Sequence, residues 1–172
     1  REGYHSIPLF YDLIYPVCSP LYLEQNPEIN DLEVLQNQTL LNLSPYGRSQ
    51  IAEHVDWGVW FSSQGVDIDI GLGGDRHVFN ANDYNMLIQM VLNHQGVCLG
   101  WHQLVSPMIE QGWLIRIGEA EAVYREKSHY LTYSESRQDN EAFRTFKEWF
   151  LGCIADEQTS VVPLEKIAKA SN

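Results

Sequence analysis

Gly96-Val97-Cys98-Leu99-Gly100 is a run of small and apolar residues, closed by glycine at both ends and too short for a buried helix. A strand covered on both faces is the structure such a run can form. Helical patterns flank it. Tyr84 to Asn93 carries Met86, Ile88, Met90, Val91 and Leu92 behind a cluster of N-cap residues at Asn80 to Asp83, too apolar for an exposed element. Leu104 to Glu110 follows, stopped by Gly112. A doubly covered strand between helices requires layers of helix over sheet, so the chain is expected to be α/β with a largely parallel sheet.

The remaining segments fit that scheme. Strands are expected at Leu9 to Val17, Thr39 to Leu43, Trp113 to Ile117 and Tyr130 to Tyr133, with a turn at Cys18-Ser19-Pro20 and a polar connection from Gly118 to Ser128. Helices are expected over Pro27 to Gln36, over His54 to Gln64 with Trp57, Trp60 and Phe61 inward, and over Asn140 to Ala155 with Phe143, Phe146, Trp149 and Phe150 along one side. Val66, Ile68 and Ile70 alternate with Asp67 and Asp69 before Gly71 to Asp75, a pattern that predicts a hairpin returning at His77 to Phe79. The tail from Asp156 turns polar.

Charge narrows the function classes. Eleven Lys and Arg against 23 Asp and Glu leave −12 at pH 7 over 172 residues, a field that repels phosphate backbones and anionic membrane surfaces. The chain by itself is not a DNA reader. Three cysteines, Cys18, Cys98 and Cys153, are odd in number and far apart, which fits a reducing compartment better than a disulfide framework. No membrane-length apolar run occurs, and the expected location is the cytoplasm.

Catalytic and metal patterns find no support. The segment Gly71-Leu72-Gly73-Gly74-Asp75-Arg76 lacks the third glycine of a dinucleotide loop and precedes a strand, so no helix N-terminus follows to hold a pyrophosphate. The histidines form no H-E-x-x-H, and His94 and His102 are separated by the central strand. No serine occupies a nucleophile elbow, and Cys98 stands where a small core residue belongs. The expectation is therefore a binding protein with no catalytic residue, metal or cofactor. In open α/β sheets ligands sit beyond the carboxyl ends of strands. The junctions Phe79-Asn80 to Asp83 and Gly100-Trp101-His102 each follow a buried strand and open a helix, offering amides and an aromatic wall to a small ligand. Helix capping and core packing account for the same residues equally well.

Taken in order, Tyr15-Pro16-Val17-Cys18-Ser19-Pro20, Trp57 to Gly65, Val78-Phe79-Asn80, Gly96 to Gly100 with Leu104-Val105, Gly112 with Leu114, Tyr130-Leu131 with Tyr133, and Phe143 to Leu151 resemble the effector-binding domain of LysR-type transcriptional regulators, in their glycine-cleavage-activator-like branch. The resemblance spans about Leu9 to Leu151. It implies a two-lobed fold of the type 2 periplasmic-binding-protein kind, with the first lobe incomplete in this chain. Residues 1–18 would be a remnant of the first lobe and the outgoing crossover strand, residues 19–128 the second lobe, and residues 129–172 the return strand and C-terminal helix of the first.

The family's effector contacts carry over to Cys18, Ser19, Phe79, Asn80, Leu99, Gly100 and Trp101, with His102, Asp83 and Trp57 behind them. The implied partners are a small effector (an amino acid, a small carboxylate or an amine) and further copies in a dimer or tetramer. DNA would be reached only through a winged helix-turn-helix preceding Arg1. Trp101-His102 departs from many relatives and, with Trp57, Trp60 and Tyr84, would suit a cationic amine if those rings form a cage and not core. A free-standing solute-binding protein, an enzyme on the same architecture, or an inactive remnant remain the alternatives.

Overall fold

The computed structural model describes residues 3–44, 55–68 and 77–158. The chain falls into two compact units, one of residues 1–12 and 124–172, the other of Leu13–Val123.

The larger unit is built on a mixed sheet. Strand β1 (Tyr4–Cys18) is far longer than its apolar stretch predicts. Its first residues alternate between exposed and half-buried, whereas Leu13 to Cys18 are buried without a break, because that half lies between two neighbours. On one side is β4 (Val97–Trp101), antiparallel, with Ile14 opposite Trp101 and Val17 opposite Cys98. On the other is β5 (Ile115–Arg116), also antiparallel. Beyond β4 come β2 (Leu40–Leu43) and β3 (Val78–Ala81), both parallel to it, giving the order β3-β2-β4-β1-β5. The α/β class is as expected, but the sheet is mixed and not largely parallel. Continuous burial marks a central strand and carries no information on its direction.

The helices start where side chains accept the first free amides. Ser19 caps α1 (Pro20–Gln25), Asp31 caps α2 (Leu32–Leu35), Asp56 caps α3 (Trp57–Ser63) and Asp83 caps α4 (Tyr84–Leu92). The fifth helix, α5 (His102–Glu110), follows β4 directly and has no side-chain cap bond at Trp101. Trp57, Trp60 and Phe61 of α3 are fully buried, and the two indoles donate to the Leu41 and Ile14 carbonyls at 3.1 and 3.2 Å. Each ring thus fills the core without stranding its N–H group.

Three expectations are corrected. Cys18-Ser19-Pro20 is no mere turn: Ser at the N-cap and Pro at the first helical position start α1. Val66 to Ile68 form no strand, and β3 pairs in parallel with β2 and not in a hairpin; the glycine-rich segment 71–76 lies outside the described residues, as do His54 and residues 159–172 of the tail. The polar connection is strand instead, since β6 (Ala122–Ser134) begins before Ser128 and pairs with β1. Among the described residues β6 has β1 as its one partner, and such a strand tolerates polar side chains that a central strand would exclude. With a short 3₁₀ turn at Glu135–Arg137 and the helix α6 (Glu141–Gln158), it accounts for most of the smaller unit.

Candidate functional site

The carboxyl ends of β2, β3 and β4 lie side by side because the three strands run in parallel. From these ends the chain enters α4 after β3 and α5 after β4. Between them is a narrow hollow, open to solvent, whose cavity volume is about 10 Å³, lined by Leu41, Asn42, Leu43, Val55, Trp57, Tyr84, Leu87, Cys98, Leu99 and Trp101. No charged side chain is among these described residues, which offer rings, aliphatic groups and a few dipoles.

Asn42 is the polar anchor of this wall. It is 4% exposed in the middle of an apolar strand, and its burial is tolerated because both ends of its amide are bonded. Oδ1 accepts from the Trp57 backbone N–H at 3.1 Å, and Nδ2 donates to Asn80 Oδ1 at 2.8 Å. Parallel register sets Asn42 beside Asn80. Opposite, Tyr84 donates its hydroxyl to the Leu99 carbonyl at 3.2 Å and meets Trp101 edge to face at 5.3 Å. Loss of hydration on burial pushes the Tyr84 hydroxyl well above the usual phenol range, Cys98 adding to it, and burial likewise raises the Cys98 thiol. Both groups are neutral at physiological pH.

Of the residues singled out in the sequence, Leu99, Trp101 and Trp57 line the hollow, and Asn80 joins it through Asn42. Phe79, 38% exposed, precedes Asn80 on β3. Asp83 holds the Asn85 amide at 2.9 Å and acts as a helix cap. His102 places Nδ1 3.0 Å from the Tyr15 hydroxyl, and the Arg116 guanidinium lies over the Tyr15 ring at 4.5 Å. Gly100 faces Val105 and Val17.

Cys18 and Ser19 are not brought to this cluster. β1 is antiparallel to β4, so the residue opposite Trp101 is Ile14. Cys18 is four residues further along, next to Val17, which stands opposite the lining residue Cys98, but Cys18 and Ser19 are not themselves in the lining. There Ser19 is 1% exposed, and its hydroxyl accepts from the Tyr22 amide and bonds His94 Nδ1 at 2.7 Å. Burial pushes the Cys18 thiol up to about 12. Reading the sequence missed Asn42, although a lone amide inside Leu40-Leu41-Asn42-Leu43 was itself a signal, because a buried polar residue requires partners.

A family model described as the LysR substrate binding domain matches residues 1–152. The chain belongs to that family. This LysR substrate-binding domain is 26% identical over 151 residues to the glycine cleavage system transcriptional activator of Escherichia coli K12, covering 87% of the chain and 45% of the relative. It therefore spans about half the length of the curated relatives it matches.

Among solved structures, this domain is similar to the effector domain of the regulator AmpR of Pseudomonas aeruginosa (TM-score 0.64, 20% identity, 93% of this chain and 70% of that one). It also resembles the CrgA regulatory domain of Neisseria meningitidis (0.61, 22%, 89% and 70%). A third is full-length LysG of Corynebacterium glutamicum, solved with bound effector Arg (0.54, 13%, 91% and 48%). At these identities the likeness establishes a LysR effector-domain fold of the periplasmic-binding-protein class.

Proposed function

We propose that this domain is the sensing part of a LysR-type transcriptional regulator, and that the hollow at the ends of β2 and β4 receives its small-molecule effector. The observation that carries this reading is the wall itself, a buried Asn42 bonded at both Oδ1 and Nδ2 beside the rings of Trp57, Tyr84 and Trp101 at the strand ends. Effector contacts are assigned to Leu99, Trp101, Phe79 and Asn80, with Trp57, Asp83, Gly100 and His102 as support. Cys18 and Ser19 enter as frame residues, because the Ser19 hydroxyl is already taken by the start of α1 and by His94.

The protein acts by binding and not by turnover, in the cytoplasm, as part of a dimer or tetramer whose DNA contacts come from a winged helix-turn-helix outside these residues. The lobe assignment of residues 1–18, 19–128 and 129–172 belongs to the same proposal. An effector shifts the regulator only through its differential affinity for two arrangements.

A thermal-shift screen with amino acids, small carboxylates and amines tests the assignment. One class is expected to raise the midpoint, by an amount matching about 2.7 kcal/mol at a hundredfold excess over Kd. Trp101→Ala should abolish that rise. A screen in which no class acts, or in which Trp101→Ala responds like the parent, refutes the site.

A further inference from the structure

The hydrogen bonds that satisfy Asn42 run in one direction, from a residue that lines the hollow to the exposed Asn80 on the neighbouring strand. We propose that Asn42 is a positioning residue that holds the Asn80 side chain with its NH₂ group outward, so that the site selects a ligand head presenting an oxygen acceptor and refuses an ammonium head. This rests on the effector-site reading above and adds the chemistry of the ligand to it.

The direction follows from one group that can only donate. The Trp57 N–H opens α3 and lies 3.1 Å from the Asn42 amide, so the atom facing it is Oδ1. The other end of Asn42 is then Nδ2, a donor, at 2.8 Å from Asn80. The Asn80 atom it meets must accept, and is Oδ1. Turning either amide over would set donor against donor, and for Asn42 that conflict would be buried.

Asn80 is exposed. Its two Nδ2 hydrogens therefore point away from Asn42, and among the described residues no protein group accepts them. Asn42, which lines the hollow, keeps a second Nδ2 hydrogen as well. The hydroxyl hydrogen of Tyr84 is spent on the Leu99 carbonyl. Free donors at this wall thus come from amides held in place, and they match a carboxylate or carbonyl oxygen. An ammonium head would find the faces of Trp101 and Tyr84 but, among the described lining residues, no carboxylate, and ring faces alone bind cations weakly at an open site.

Titration of the ¹⁵N-labelled chain with propionate, propionamide and propylamine, followed through the Asn80 side-chain amide and the Trp101 ring resonances, tests this selection. Propionate and propionamide should shift both signals, their order separating a charged from a neutral acceptor, while propylamine should leave Asn80 unmoved. Asn80→Asp keeps an acceptor for Asn42 Nδ2 on an exposed residue and reverses what the rim offers. It should weaken propionate binding about tenfold or more and admit propylamine. Equal response to propylamine in the parent, or an Asn80→Asp variant that still prefers propionate, overturns the proposal while Trp101 still reports binding. If no probe moves Trp101, the effector-site reading itself fails and the selection fails with it.

Discussion

Gly100 measures how closely β4 and α5 approach. A Cβ there would lie 2.8 Å from Val105 Cγ2 and 3.1 Å from Val17 Cγ1, on two valines that are fully buried. Valine has few rotamers with which to give way, so Gly100→Ala should destabilise the fold by about 1–3 kcal/mol. Val105→Ala in the same background should restore part of that loss. Urea denaturation reads both, and an unchanged midpoint for Gly100→Ala would show that the contact yields freely. At this scale the sequence was informative where a strand end enters a helix. Leu99 and Trp101 line the hollow because the ends of parallel strands expose them, and Asn80 reaches it only through its bond to Asn42. The alternation of side chains along a strand does not reveal which residues of a neighbour each one meets: Cys18 and Ser19 follow Val17, the partner of the lining residue Cys98, yet are not in the lining themselves. Asn42 escaped notice because its partners, Trp57 and Asn80, are 15 and 38 residues away.

Among the elements, the start of α4, where Asp83 precedes an apolar period, was legible, whereas Asp31 and Asp56 cap helices expected to begin earlier, at Pro27 and His54. The Asp83 carboxylate accepts from Asn85 N at 2.9 Å, and α4 is only nine residues long, so a free amide there is not diluted by length. Asp83→Ala should cost about 1 kcal/mol of folding stability, measured by the shift in denaturation midpoint; the same midpoint for both proteins would mean that water replaces the cap at no cost. β6 was unreadable for the opposite reason. Its Ala122-Val123-Tyr124-Arg125 start continues into charged and polar residues, and an exposed strand with a single neighbour has no compositional mark to separate it from a connection. The parallel pairing of β3 with β2 was likewise invisible, since a strand after a glycine-rich segment reads as half of a hairpin by local sequence alone.

For the molecule as a whole, alkaline pH should be the weak side. Burial raises Cys98, Cys18, Tyr84 and Tyr15, the last against an opposing pull from Arg116. Cys18 ionises near 9 when unfolded and at about 12 when folded. Between those values the unfolded chain binds fewer protons, so stability is whole below pH 9 and is lost as pH rises towards 12. Denaturation midpoints measured at pH 7, 9 and 10.5 should be level between the first two, as far as the thiols go, and fall at the third; a flat series would place these groups in water. A different consequence follows from the make-up of the smaller unit, which joins the two ends of the chain. Its contacts Asp12 to His129 and Ser6 to Thr132 close loops of 117 and 126 residues. At translation speeds of about 5–20 residues per second, the start of β1 waits roughly 6 to 25 s for the partner that completes its half of the sheet. During that interval Leu9 and Tyr11, buried in the finished protein, are exposed on an unpaired strand, and the newborn chain must survive it on chaperones or on speed.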